Sequence, residues 1–326
     1  MIKRCLVLFF ILAFTSFGFF ANAQIRDTDI VLSISPQYPK PNQEVEATLN
    51  SHSINLDKAN MSWSVNNQDM SIGIGKKSFS FKMDSLGSET VLSVTIETID
   101  GQSILKTITL SGADVDMLWE ATDAYTPPFY RGKTLVPSQG TFKVVAIPNL
   151  VNQSGKVGVS NLSYAWKKDG KAQVDSSGWG KNYLLLQNSY LDRENVAEVK
   201  VSDISGGTTA SGKITLTTVN PKIVFYKYDS SLGVKWETAL NNGFIINPNG
   251  ETIVIEPYFF SPKNINSSDL TFDWFLSEEK IETPNPKNML SIKPEAGQSG
   301  SALIKIVINN VNTLFQSMTK QISVEF

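Results

Sequence analysis

Leu162–Ser163–Tyr164–Ala165–Trp166 decides how this chain folds. Its three large apolar residues stand at i, i+2 and i+4. A strand places those positions on one face, whereas a helix would scatter them. The same form recurs downstream as Leu270–Thr271–Phe272–Asp273–Trp274. It recurs upstream as Met61–Ser62–Trp63–Ser64–Val65, with the Trp moved to the middle. Each triple reads as the buried side of a core strand.

The flanks repeat in the same order. Before each triple comes an apolar-rich stretch: Val45–Leu49, Phe142–Ala146 and Ile253–Pro257. Each of these follows a Pro-containing turn, at Pro39–Asn42, Pro137–Gly140 and Pro248–Gly250. After each triple come Val94–Ile96, Val199–Val201 and Ile306–Ile308. The turn-type pairs Asp100–Gly101, Gly206–Gly207 and Asn309–Asn310 follow, and then a Lys-led alternating strand: Lys106–Leu110, Lys213–Leu216 and Lys320–Val324. Self-similarity at a fixed period marks a repeat architecture. Short strands in units of about 100 residues, without sustained helical periodicity, predict β-sandwiches. The expectation is an all-β chain of three tandem sandwiches, divided at 24–112, 113–220 and 221–326.

The segment before the first unit has a different composition. Lys3 and Arg4 form a short basic start, Cys5–Phe20 is apolar and uncharged, and Ala21–Asn22–Ala23 is a small-x-small site. Those are the parts of a secretory signal peptide, expected over residues 1–23. The alternative is an uncleaved anchor, since the run approaches the length that spans a bilayer. Cleavage would remove Cys5, the only cysteine, leaving an exported chain held by its cores and not by disulfides. No later apolar run is long enough to span a membrane, so none is expected after cleavage.

Composition excludes several kinds of chemistry. With one His and one Cys, neither a Ser-His-Asp arrangement nor a zinc site is readily built. His52 lies in a predicted loop and reads as an ordinary solvated residue. A net charge of -2 without a basic run lacks the electrostatic footprint of nucleic-acid binding. Gly73–Ile74–Gly75 and Gly178–Trp179–Gly180 are too short for phosphate-binding loops. Asp114 and Asp116 share a strand face and could offer oxygen ligands to Ca²⁺, but no calcium-loop pattern accompanies them. Glu278–Glu279 reads as a hairpin turn. No catalytic residue, cofactor or metal is expected.

Aromatic residues give the candidates for contact. Trp63, Trp166 and Trp274 are assigned to the cores. Trp119, Tyr125, Phe129 and Tyr130 fall outside the repeat, in a long connection running to Pro137. A matching connection, Tyr226 to Pro248, carries Tyr228 and Trp236. They form either an exposed patch for a glycan or protein partner, or a cover over sandwich ends and module contacts. Trp179, between two glycines, reads as a turn residue and the best single contact candidate.

The Trp strand, the Gly-rich turn and the Lys-x-Ile-x-Leu closing strand together resemble the immunoglobulin-like superfold. Leu162–Gly170 is most similar to PKD-type modules of bacterial surface proteins, although the Gly-Asp-Gly of those modules is absent. The stretch from Leu118 to Lys133 resembles uncharacterised exported proteins of candidate-phyla bacteria. The resemblance implies a secreted or surface repeat protein acting in adhesion or as a scaffold. Alternatives are an accessory subunit of a pilus or secretion assembly, and a carbohydrate-binding surface protein.

Overall fold

A computed structural model describes residues 29–152, 154–205, 207–313 and 315–326. The expected signal peptide therefore lies outside the described residues. The chain is all-β, a tandem series of immunoglobulin-like sandwiches. The first is built from β1 (Ile30–Ser35), β2 (Glu44–Ser51), β3 (Asn60–Val65), β4 (Gln68–Ile74), β5 (Ser78–Lys82), β6 (Glu89–Glu97) and β7 (Ser103–Ser111). Sheet β1-β2-β5 faces sheet β4-β3-β6-β7.

The second contains β8 (Asp114–Ala121), β9 (Thr141–Asn149), a small hairpin of β10 (Val151–Asn152) and β11 (Gly155–Lys156), β12 (Leu162–Lys168), β13 (Lys171–Ala172), β14 (Gly178–Trp179), β15 (Tyr183–Gln187), β16 (Glu194–Asp203) and β17 (Thr209–Thr217). Its sheets are β15-β9-β8 and β13-β12-β16-β17, with β14 added to β12. The third contains β18 (Lys222–Asp229), β19 (Gly233–Leu240), β20 (Gly243–Ile245), β21 (Glu251–Tyr258), β22 (Leu270–Leu276), β23 (Glu279–Lys280), β24 (Met289–Ile292), β25 (Ser301–Asn310) and β26 (Ser317–Glu325). Its sheets are β19-β18-β21-β24 and β20-β26-β25-β22-β23.

By packing, the chain forms two compact units. One comprises the described residues up to Gln37, with Gln43–Lys82 and Thr90–Leu110. The other comprises Tyr38–Asn42, Met83–Glu89 and Ser111–Phe326, so it holds the second and third sandwiches together.

The repeated triples form the core strands β3, β12 and β22. Trp63, Trp166 and Trp274 are each at most 1% exposed. Opposite them in register stand Val94, Val199 and Ile306. A buried indole must still place its N–H on a partner. All three donate to the backbone carbonyl of a lysine on the way into the next core strand: Lys76, Lys181 and Lys287, each at 2.9 Å. The carbonyl of the residue after each lysine, 77, 182 or 288, accepts from a strand of the facing sheet: Leu49 of β2, Ala146 of β9 or Ile255 of β21. One aromatic residue thus fixes the spacing between the two sheets.

Three local readings are corrected. The stretch Tyr226 to Pro248 is not a loop: most of it is strand β18, strand β19 and strand β20, with the turn at Gly233 (φ 79°). Asn309 and Asn310 end β25 instead of making its turn, and Asn310 is buried. Trp179 sits in a short strand, paired with Ser163 of β12, and not in a turn. The reading of Glu278 as a turn residue agrees with its φ of 74°.

Candidate functional site

The connection from Thr122 to Gly140, between β8 and β9, turns its aromatic residues in different directions. Trp119 belongs to β8 and packs half-buried against the second core, with the Lys133 ammonium 3.7 Å from its ring centre. Burial holds the Lys133 ammonium below the usual lysine range. Tyr125 is buried, because its backbone joins the third sandwich. Its N–H donates to Phe260 O at 2.7 Å, and its carbonyl accepts from Phe259 N at 2.8 Å. Tyr130 packs edge-on against Tyr258 and Phe259, with centroids 5.9 and 6.0 Å away. Phe129 alone points outward: it is 85% exposed, on a left-handed backbone of φ 63°. Tyr125 therefore cannot meet an outside partner while the second and third sandwiches are joined. In the third sandwich Trp236 lies against Tyr226 at 5.3 Å.

The junction made by this connection has a polar centre. Glu256 of β21 is 4% exposed, and its Oε2 accepts the Tyr125 hydroxyl at 2.5 Å. Burial pushes its carboxyl up to about 7, opposed by the Tyr125 bond. The same environment raises the Tyr125 hydroxyl well above the usual tyrosine range, by burial first and the Glu256 bond second. Beside them the Tyr226 and Tyr258 hydroxyls share a 2.7 Å bond.

A second cluster surrounds Gln316, which is fully buried. Its Nε2 donates to Ser138 O at 2.6 Å, and its Oε1 accepts from Ser261 N at 2.9 Å. Phe315 N donates to Gln139 Oε1 at 3.0 Å, and the Phe315 ring stacks on Tyr190 at 4.2 Å. Sequence patterns gave no sign of Glu256 or Gln316, whose partners Tyr125 and Ser138 lie 131 and 178 positions away.

Trp179 occupies a different surface. It is 68% exposed, yet its indole N–H donates to Ser160 O at 2.7 Å, so the ring is held in place. Val159 and Ile204 are also exposed, and Ile204 N bonds Asn161 O, which draws both near the Trp179–Ser160 contact. The result is a small apolar patch with a fixed aromatic plate.

Other candidates have ordinary roles. His52 is exposed in the loop after β2. Asp114 and Asp116 hold the Lys40 ammonium, at 3.7 and 2.6 Å. Among the described residues no three metal-ligating side chains cluster, and no helix is long and apolar enough to cross a membrane.

The sandwich architecture and the contacts above define the class as a tandem immunoglobulin-like repeat protein. No family model matches the chain, and neither does any curated protein. Solved structures do match. Three N-terminal domains of the outer capsid protein Hoc of bacteriophage RB49 share 12% identity, over 91% of this chain and 98% of that one, with a TM-score of 0.27. The central fibronectin-III array of RIM-binding protein shares 10%, over 91% and 95%, also at 0.27. SGBP-B of the Bacteroides ovatus mixed-linkage glucan utilization locus, solved with a heptasaccharide, shares 11%, over 91% and 70%, at 0.20. At such scores none bears on function, and the fold stands on strand order and register.

Proposed function

We propose that this chain is an exported, non-enzymatic repeat protein that works as an extracellular scaffold, meeting a protein or glycan partner through its displayed surfaces. We further propose three domains, 24–112, 113–220 and 221–326, behind a cleaved leader at 1–23. The observation that carries the reading is the junction around Glu256 and Gln316. Contacts between domains of one chain usually permit relative motion. Here a buried carboxylate, a buried amide and two backbone bonds join successive sandwiches, which suits a spacer that sets a fixed angle. The aromatic resources of the Thr122–Gly140 connection are largely used in that joint.

Crosslinking on intact cells, followed by mass spectrometry, tests the proposal. Peptides of residues 24–326 joined to surface proteins or glycans are expected. Recovery only inside the cell, with residues 1–23 still attached, would overturn it.

A second reading, contact with a glycan, is favoured by Trp179. A sugar ring stacks on an aromatic face, and a plate whose N–H is already bonded loses little freedom on binding. Saturable binding on a glycan array, lost in Trp179→Ala, would support it; an array without binding would count against it.

A further inference from the structure

The outer face of sheet β13-β12-β16-β17 in the second sandwich carries a row of hydroxyls beside Trp179. Directly opposite residues in antiparallel strands share a face. Trp179 of β14 stands opposite Ser163 of β12, Ser163 opposite Ser202 of β16, and Ser202 opposite Thr209 of β17. The strand neighbours Tyr164 and Val201 are buried, so this row faces out. It crosses four strands, about 14 Å at ordinary strand spacing. None of the three hydroxyls bonds another described residue. A free hydroxyl offers one donor and two acceptor lone pairs. Two residues further along the strands, Ala165, Lys200 and Ser211 form the next row. Lys200 is exposed and has no partner among the described residues, whereas Lys213, in the row beyond, is paired with Glu198 at 3.4 Å.

The third sandwich shows the same row closed. Counted from the core residues Trp166 and Trp274, Ser163, Ser202 and Thr209 match Thr271, Asn309 and Ser317, which stand opposite one another in the same register. There the polar groups satisfy each other. Ser317 Oγ donates to Asn309 Oδ1 at 2.5 Å, and Thr271 Oγ1 donates to Asn309 O at 3.4 Å. Among the described residues no strand takes the place of β14 beside Thr271. The aromatic plate and the open hydroxyls therefore occur together in the second sandwich.

We propose that this face binds an acidic oligosaccharide, with one sugar ring stacked on Trp179, its neighbours hydrogen-bonded to Ser163, Ser202 and Thr209, and a uronate carboxylate paired with Lys200. The inference rests on the glycan reading of Trp179 and narrows it. A sugar presents an apolar C–H face and an edge of hydroxyls, and the sheet holds the counterpart of each in a fixed place. The plate is 68% exposed, with its N–H tied to Ser160 O, and the row beside it has only water to displace. A lysine ammonium makes a stronger hydrogen bond to a carboxylate than to a neutral oxygen. Lys200 lies two strand spacings and one row from Trp179, about 12 Å. The stacked ring and the carboxylate therefore belong to different sugars of one chain.

Calorimetric titration of the full chain with hexagalacturonate and with cellohexaose tests this. Saturable binding of the acidic sugar is expected, roughly tenfold or more tighter than that of the neutral one, with the difference shrinking as salt is added. Trp179→Ala and Ser202→Leu, which removes the plate or fills the shelf, should each weaken the acidic complex roughly tenfold. Lys200→Gln should lower the acidic affinity to the neutral level. Lys222→Gln, at an exposed lysine of the third sandwich, should change nothing. Trp179 and Lys200 are exposed, so their variants should melt with the wild type. Equal affinity for both sugars would overturn the inference and leave the glycan reading standing; binding of neither would remove both. Acidic binding that survives Trp179→Ala, or single-stranded DNA bound as tightly as hexagalacturonate, would mark a general polyanion surface and overturn it too.

Discussion

Replacing Glu256 with Gln isolates the electrostatic cost of the junction. The carboxyl is 4% exposed and lies among tyrosines: Tyr125 from the β8–β9 connection, Tyr226 from β18 and Tyr258 from its own strand. Burial raises it from 4.5 to about 7. A raised carboxyl holds its proton in the folded state after the unfolded chain has released it. Its stabilising contribution is therefore complete below about pH 4.5 and is lost as pH rises to about 7, beyond which the curve is flat. The gap corresponds to about 3 kcal/mol. The amide of the Glu256→Gln variant keeps an oxygen for the Tyr125 hydroxyl and carries no charge. Urea unfolding at pH 5 and pH 8 measures the effect. The variant should resemble the wild type at the lower pH and exceed it by up to about 3 kcal/mol at the higher. For a unit of this size that is roughly 6–12 °C in Tm. Equal pH slopes in the two proteins would refute the reasoning, as would a variant less stable at pH 8.

Three further outcomes follow from single contacts. Tyr125→Phe removes the hydroxyl that Glu256 accepts and should cost about 1–3 kcal/mol, with the larger loss above pH 7 where the carboxylate is charged; paired pH melts will show it. Trp166→Phe keeps a ring in the second core but leaves Lys181 O without the indole donor, costing about 1–3 kcal/mol by chemical denaturation, whereas Trp166→Ala costs about 3–5 kcal/mol. Trp179→Ala should shift stability by less than about 0.5 kcal/mol, because the ring is exposed, while abolishing any partner binding that uses the patch.

The core was legible because its signal is local. Leu162, Tyr164 and Trp166 alternate with smaller neighbours, and alternation over five residues suffices to place a strand and its face. The same local logic failed at Tyr226 to Pro248. Strand β19 runs Val234, Lys235, Trp236, Glu237, and its half-buried residues do not alternate in depth strongly enough to distinguish strand from loop. Asn309 and Asn310 look like a hairpin pair, but Asn310 is claimed by Gln316 and Ser261 and stays in β25. Tyr125 falls outside the repeat, which left it open between an exposed patch and a module contact. What buries it is its backbone pairing with Phe259 and Phe260 and its bond to Glu256, 131 positions away, and no periodicity reports a partner at that distance. Met70, Ile72 and Ile74 of β4 alternate in the sequence as a core strand does, yet all three are exposed. Alternation reveals a face but not which way it points; the register with Trp63 and Met61 settles that.

If the joint around Glu256 and Gln316 fixes the second sandwich to the third, the two move as one body. Electron–electron double resonance between nitroxides at Leu185 and Ile245, exposed positions on the two sandwiches, measures this in the full chain with Cys5→Ser. A single narrow distance distribution is predicted, broadening when Gln316 and Tyr125 are both replaced by Ala. A broad distribution in the otherwise unaltered chain would contradict it.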